Sequence, residues 1–371
     1  MISTAYKRTE KKFEKIRHYI PCEIFLTKNI NSFEVGPVQF IHKSKFFESH
    51  KNEINDLRNE IRKDHQDRCK SAVTEGYPEN RVATEKQSQR LANHLVDGLL
   101  EFFGQYEWFA VLDMAECDLQ VSYDRALITT KTALNIIKLI LGGQYTDRLR
   151  TAQDYGHSIK SAKLTRSKDG KLHISLSSTP GSNVVGDNWF DILTTRAGYF
   201  FKLASQALHF SVGFDNLSPL CTRFIDSLSW YGDAISEKST AAKIVKFVSS
   251  IEGMTGTGIE KDKNGKERGV TEIVTKRSSI LYSIATGESL DKSLEKLSHI
   301  YDCRSRLVHG SISPFEDSVL TYSYKAERIS RLILLTGLDY FNTLGLDNHT
   351  INQKQLRKYY SELEKKYFNT K

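Results

Sequence analysis

The sequence predicts a predominantly helical protein in two parts, an α+β domain over residues 1–185 and an all-helical bundle over residues 186–371. A chain of 371 residues is longer than one hydrophobic core ordinarily organises, so two domains are expected. Strand-like segments are confined to the first part, whereas apolar residues recur at helical spacing through the second. Between them lies the most turn-rich window of the sequence, SSTPGSNVVGDN at 177–188, which indicates the boundary.

The first part mixes short strands with charged helices. Three segments have the β-branched, aromatic or alternating composition of strands: 19–28, 34–42 and 171–177. Three others have apolar residues at helical spacing: 44–70, 84–103 and 118–141. The last of these ends at Gly142 and Gly143, as expected of a helix with a glycine stop.

The second part has a helical pattern almost to its end, which predicts a bundle. Its predicted helices cover 189–210, 218–235, 239–254, 270–286, 289–309, 316–344 and 351–368. The polar, glycine-rich segment 253–269 is predicted to be a long loop between two of them. The last helix carries basic and aromatic residues that could contact RNA, although packing of the aromatic side chains on the bundle is the favoured interpretation.

Composition restricts the class of protein. Lys and Arg total 53 against 45 Asp and Glu, and the net charge of +8 is compatible with a polyanionic partner. The most apolar stretch, 126–143, is interrupted by Lys131 and Lys138 and is too polar for a membrane span, and no signal peptide is apparent. The five cysteines are scattered without a C-x-x-C pair. We therefore expect a cytoplasmic protein with reduced thiols, no membrane partner, no metal and no other cofactor.

The most informative segment is ESLDKSLEKLSHIYDCRSRLVHGSI, whose apolar residues follow one face of a helix. Gly310 marks the expected C-terminus and places His309 in the last turn, where the helix dipole favours a protonated imidazole. Arg304 lies five positions before His309, about 140° away around an ideal helix, whereas Ser305 shares a face with the histidine more closely. Arg304 and His309 can converge on one phosphate if the helix unwinds at Gly310 or a second subunit completes the site.

The run RSRLVHG at a helix end, within an all-helical half, resembles the HEPN superfamily and in particular its Apea-like branch. The resemblance covers about residues 190–345 and is supported by FVSSIEGM around Glu252 and TKRSSILYSI around Arg277. It implies an all-α HEPN-type bundle that pairs two-fold and brings two signature helices together. In active members it also implies metal-independent cleavage of RNA.

The chemistry of RNA cleavage suits these residue types, because RNA supplies its own nucleophile, the 2′-OH. His309 is then expected to act as general base or acid, and Arg304 to bind the scissile phosphate. Ser305, at a position where the family carries a polar residue, would orient the phosphate or the histidine. Arg306 would add a backbone phosphate contact, and Glu252 would hold Arg304 or His309 in place.

The sequence therefore predicts a metal-independent endoribonuclease, with a role in bacterial anti-phage defence or a toxin system. Its expected partners are RNA, a second copy of the chain and a regulatory or trigger protein, and residues 1–185 would sense the trigger or grip the substrate. The alternative is a non-catalytic HEPN dimer that binds RNA, a nucleotide or a protein partner. A helix end with a histidine and a nearby arginine is also compatible with a purely structural role.

Overall fold

Five antiparallel strands form a sheet near the start of the chain in the computed structural model. The structure describes residues 14–368 except 29, 75–84, 155–159, 167–171, 179–182, 185, 213–217, 262–264 and 266. The sheet has the order β3-β4-β5-β1-β6. Its strands are β1 (Glu14–Glu23), β3 (Phe33–Val35), β4 (Val38–His42), β5 (Trp108–Cys117) and β6 (Arg150–Thr151). The segments predicted as strands at 19–28 and 34–42 thus contribute one edge strand, β3, and two inner strands, β1 and β4.

The central strand β5 was not predicted from the sequence. Val111 in this strand lies opposite Tyr19 of β1 on one side and Gln39 of β4 on the other. Residues 108–112 are all buried, so the strand lacks the alternation of polar and apolar residues that marks a half-exposed strand. In a run of consecutive buried apolar residues, the two-residue period of a strand cannot be recognised from the sequence.

The remaining short strands lie outside this sheet. The strand predicted at 171–177 is present as β8 (Leu172–Ser178), which pairs with β7 (Lys160–Arg166) in an antiparallel hairpin. Two-residue strands β2 (Phe25–Leu26) and β9 (Asn183–Val184) pair in parallel. The predicted boundary window at 177–188 lies partly outside the described residues.

The described residues of the first part form four α-helices: α1 (Lys43–Ser49), α2 (Lys51–Thr74), α3 (Glu85–Gly104) and α4 (Leu119–Leu141). The single helix predicted over 44–70 is divided at His50. Its ring stacks on Phe46 and pairs with the hydroxyl of Tyr19 on β1 at 3.1 Å, so contact with the sheet fixes the break. The predicted end of α4 is correct, because Gly142 follows the helix with a φ of +87°.

The second part is helical, as predicted. Its helices are α5 (Gly198–Ser211), α6 (Pro219–Ser236), α7 (Thr240–Thr255), α8 (Val270–Thr286), α9 (Leu290–Val308), α10 (Asp317–Leu344) and α11 (Gln353–Phe368). Before α5, a helical turn at Trp189–Asp191 continues as a π-helix at Ile192–Arg196. The segment predicted as a loop contains a small hairpin of β10 (Glu260–Lys261) and β11 (Glu267–Arg268).

Side chains from both parts of the chain share one hydrophobic core. Trp108 and Ile137 from the first part belong to the same buried cluster as Phe224 and Leu338 from the second. Helix α4 makes this junction, because it packs against the sheet and against α5 and α6. The division at residue 185 stays a prediction. Among the described residues, no helix is both long and apolar enough to cross a membrane.

Candidate functional site

The C-terminus of α9 carries the predicted site residues and ends in a regular capping motif. The backbone N–H of Ser311 donates to the carbonyl of Arg306 at 2.8 Å, and that of Gly310 donates to the carbonyl of Leu307 at 3.3 Å. Gly310 has a φ of +70°, the left-handed conformation that this motif requires at its position. His309 is the capping residue itself rather than a member of the last turn, and its side chain is exposed.

One face of α9 is fixed in the bundle and orients the other face. Leu297, Ile300 and Tyr301 belong to the main hydrophobic core, while Cys303 packs with Ile312 in a smaller cluster. Burial raises the pKa of the Cys303 thiol, so this cysteine is neither exposed nor readily ionised. The helix-end residues that are half-buried or exposed, and hence available for chemistry, include Arg304, Ser305 and His309.

Arg304 faces Glu252 across the gap between α9 and α7. The Nη2 atom of Arg304 lies 4.0 Å from Oε1 of Glu252, and the Arg304 side chain is 29% exposed. Its Nε is buried and has no hydrogen-bond partner. The pair is thus a loose ion pair, and the guanidinium retains donors that an added anion could occupy.

Tyr301 completes this arrangement and was predicted only as part of the apolar stripe. Its hydroxyl donates to Oε1 of Glu252, the same oxygen that faces Arg304. Burial, together with the neighbouring Glu252 carboxylate, raises the pKa of Tyr301 far above its ordinary value, so the hydroxyl remains a donor. The spacing of three residues between Tyr301 and Arg304 on one helix is the signal that could have identified it.

The other predicted residues lie around this pair without joining it. Ser305 is half-buried, and its carbonyl accepts the backbone N–H of His309 at 3.0 Å. Arg306 is exposed, and its Nη1 lies 3.8 Å from Asp302 one turn earlier. Among the described residues, the ring of His309 makes no hydrogen bond or ion pair. Within one chain, the structure therefore brings Arg304 and Glu252 together and leaves His309 separate.

Arg277, which supported the family resemblance, lies in a different environment. It is fully buried, and it donates to Glu260 and Glu364 at 2.8 Å each. Its guanidinium also lies 4.8 Å from the centre of the Tyr360 ring. Tyr360 is itself buried and donates to the carbonyl of Met254, so α11 packs an aromatic side chain on the bundle as favoured from the sequence.

Within the described ranges, no group of three or more His, Cys, Asp and Glu side chains is arranged to hold a metal ion. Comparison of the chain with protein-family models, with curated proteins and with solved structures found no match.

Proposed function

We propose that this protein is a metal-independent endoribonuclease of the HEPN type that acts as a homodimer. The observation that carries the proposal is the end of α9, where an arginine with unused donors and an unpartnered, exposed histidine lie five residues apart. A planar guanidinium is suited to a phosphate, and an imidazole is suited to proton transfer near neutral pH.

The reaction consistent with these groups is attack of a ribose 2′-OH on the adjacent phosphorus. A bond forms between phosphorus and the 2′-oxygen, the bond to the 5′-oxygen breaks, and the products are a 2′,3′-cyclic phosphate and a 5′-hydroxyl. His309 accepts the proton of the 2′-OH, and Arg304 stabilises the charge that develops on the phosphate oxygens. Ser305 and Arg306 lie beside this path and would orient the strand.

The departing 5′-oxygen needs a proton, and a second His309 can supply it. Exposed apolar side chains flank the junction between α9 and α10, and Phe315 there is 94% exposed. The others are Val308, Leu320 and Tyr324. Exposed apolar groups of this kind commonly mark interfaces, and a two-fold interface places the same residues of both copies close together. Pairing across these side chains would bring the two α9 termini to one substrate.

The role that the family resemblance implies is anti-phage defence or toxicity in the cytoplasm. A regulatory or trigger protein acting through residues 1–185 would fit that role. The competing function is a non-catalytic dimer that binds RNA, a nucleotide or a protein. It is favoured because no hydrogen bond or ion pair within the described residues joins His309 to the pair of Arg304 and Glu252. The two functions differ in whether RNA is cut.

Cleavage of total RNA by purified protein, with and without EDTA, tests the proposal. We expect cleavage that survives EDTA, leaves 2′,3′-cyclic phosphates and falls by about 10²- to 10⁴-fold in His309→Ala. His299→Ala is the matched control, because His299 is exposed on the same helix more than two turns earlier. RNA binding without cleavage by the folded wild type, or equal cleavage by His309→Ala, would contradict the nuclease assignment.

A further inference from the structure

A pocket of about 630 Å³ opens beside the pair formed by Arg304 and Glu252. It lies where the first turns of α6, the C-terminal end of α7 and the start of α11 meet. Glu252 belongs to both places, because it is among the residues that line the pocket and its carboxylate lies 4.0 Å from the Arg304 guanidinium. The pocket therefore adjoins the candidate catalytic site through Glu252 and is large enough for a base and its ribose.

The pocket combines aliphatic walls with a fixed polar rim. Four aliphatic residues line it: Pro219, Leu220, Ile351 and Leu356. Arg223 anchors the opposite wall, because its Nη1 donates to the carbonyl oxygens of Gly253 at 2.7 Å and Gly256 at 2.6 Å. These two hydrogen bonds hold the end of α7, and Glu252 with it, in position.

Asp226 is an exposed carboxylate in the lining of the pocket. It lies one turn after Arg223 on α6, and among the described residues it makes no hydrogen bond or ion pair. Partial burial raises the pKa of this carboxyl, although the nearby Arg223 charge acts in the opposite direction. An ionised carboxylate accepts hydrogen bonds only, so the exposed Asp226 side chain suits a ligand that presents donors.

We propose that this pocket binds a guanine base of the RNA strand next to the scissile phosphate, with Asp226 as the residue that recognises it. The inference rests on the proposed ribonuclease function. Guanine is the RNA base whose Watson–Crick edge presents two adjacent donors, N1–H and N2–H₂, and one carboxylate can accept both. Adenine and cytosine place an acceptor beside their amino group, and uracil flanks its single N–H with two carbonyls. A carboxylate disfavours all three.

Binding of mononucleotides to the His309→Ala protein tests the pocket without cleavage. We expect 5′-GMP to bind at least 10-fold more tightly than AMP, CMP or UMP, as measured by calorimetry or saturation-transfer NMR. Asp226→Asn should abolish this preference. Asp233→Asn, an exposed aspartate two turns further along α6 and outside the pocket, should preserve it. Equal binding of all four nucleotides, a preference for another base, or a GMP preference that survives Asp226→Asn would each overturn the proposal.

Mapping of cleavage sites in the otherwise wild-type protein separates this inference from the proposed function. Guanine should be enriched at one fixed position relative to the cut, and Asp226→Asn should remove the enrichment while cutting at other sequences continues. Cleavage without any base preference would contradict guanine recognition by the pocket but not the proposed nuclease function. GMP binding through Asp226 in a protein that cuts no RNA would overturn the nuclease and support the pocket as a guanine-nucleotide site.

Discussion

Two arginines in the bundle, Arg277 and Arg304, are each placed beside a glutamate and a tyrosine, with opposite results. Arg277 is fully buried, and its Nε donates to Glu364 and its Nη2 to Glu260. Its Nη1 donates to the hydroxyl of Thr257 at 2.6 Å. Every nitrogen of this guanidinium has a partner, so the side chain joins α8, α11 and the β10–β11 hairpin and has nothing left for a ligand.

Arg304 forms far fewer hydrogen bonds and ion pairs than Arg277 among the described residues. Its only ion pair among the described residues is the 4.0 Å contact with Glu252, and its Nε is without a partner. Incomplete pairing, rather than exposure alone, therefore leaves an arginine available for a substrate. Arg277 therefore contributes to stability, and Arg304 contributes little to stability and is available for a phosphate.

Alanine substitutions at the two arginines should separate these roles. Arg277→Ala leaves Glu260 and Glu364 buried without their main partner, and we expect it to lower the free energy of unfolding by about 3–5 kcal/mol. Arg304→Ala removes a loose, partly exposed pair, so its cost should be below about 1 kcal/mol while RNA cleavage is lost. Urea unfolding followed by circular dichroism measures both. Equal destabilisation by the two substitutions would show that Arg304 is also structural.

Features of the fold that depend on local sequence were predictable, whereas those that depend on distant contacts were not. The predicted ends of α7, α8 and α9 agree with the structure to within about one residue because local signals set them, such as Ser239 before α7 and Gly310 after α9. Strand β5 was missed because its pairing partners are distant in sequence and its burial hides the alternation. The break at His50 likewise depends on Tyr19 of a separate strand.

The residues of the candidate site were likewise predictable where local signals identify them and not where distant contacts do. The helix-end context identified Arg304, Ser305 and His309, because capping and spacing are local properties of α9. The contact of Tyr301 with Glu252, by contrast, spans 49 positions and depends on how α7 packs against α9. The saturation of Arg277 depends on Glu364, 87 positions away. No local pattern distinguishes an arginine that will be fully paired from one that will not.

A second buried cation, Lys138 on α4, extends the comparison. Its Nζ donates to the hydroxyl of Ser236 at 2.9 Å, but among the described residues it forms no ion pair with a carboxylate. Burial is the main cause that lowers the pKa of Lys138 to about 8, from an ordinary value of 10.5. At pH 7 this lysine is charged in both states, so its burial costs up to about 3 kcal/mol of stability.

Lys138→Met should therefore stabilise the protein at pH 7 by about 1–3 kcal/mol, unlike any change at Arg277. Between pH 8 and 10.5 the native wild type loses this proton while the unfolded chain keeps it, so wild-type stability rises relative to the variant. The advantage of the variant should shrink across that window. Urea unfolding of both proteins at pH 7, 8.5 and 10 measures the difference in their free energies of unfolding. Other groups that titrate in this range are present in both proteins, so their contributions cancel in that difference. A pH-independent difference would mean that the pKa of Lys138 is the same in the native and unfolded states.

The smallest effect concerns the glycine that ends the helix carrying Arg304. Gly310 has a φ of +70°, and a Cβ added there meets no atom within 4 Å, so Gly310→Ala tests backbone conformation without a clash. We expect a loss of about 1 kcal/mol, because the left-handed conformation disfavours L side chains.

Gly98→Ala provides the matched control, since Gly98 lies inside α3 and is equally free of neighbours. There the same added methyl group should stabilise the protein by about 0.5–1 kcal/mol through helix propensity. Melting temperatures should move in opposite directions, and cleavage should fall only in Gly310→Ala, because its capping motif positions His309. A rise of both melting temperatures would show that the capping conformation of Gly310 does not contribute to the stability of this helix end.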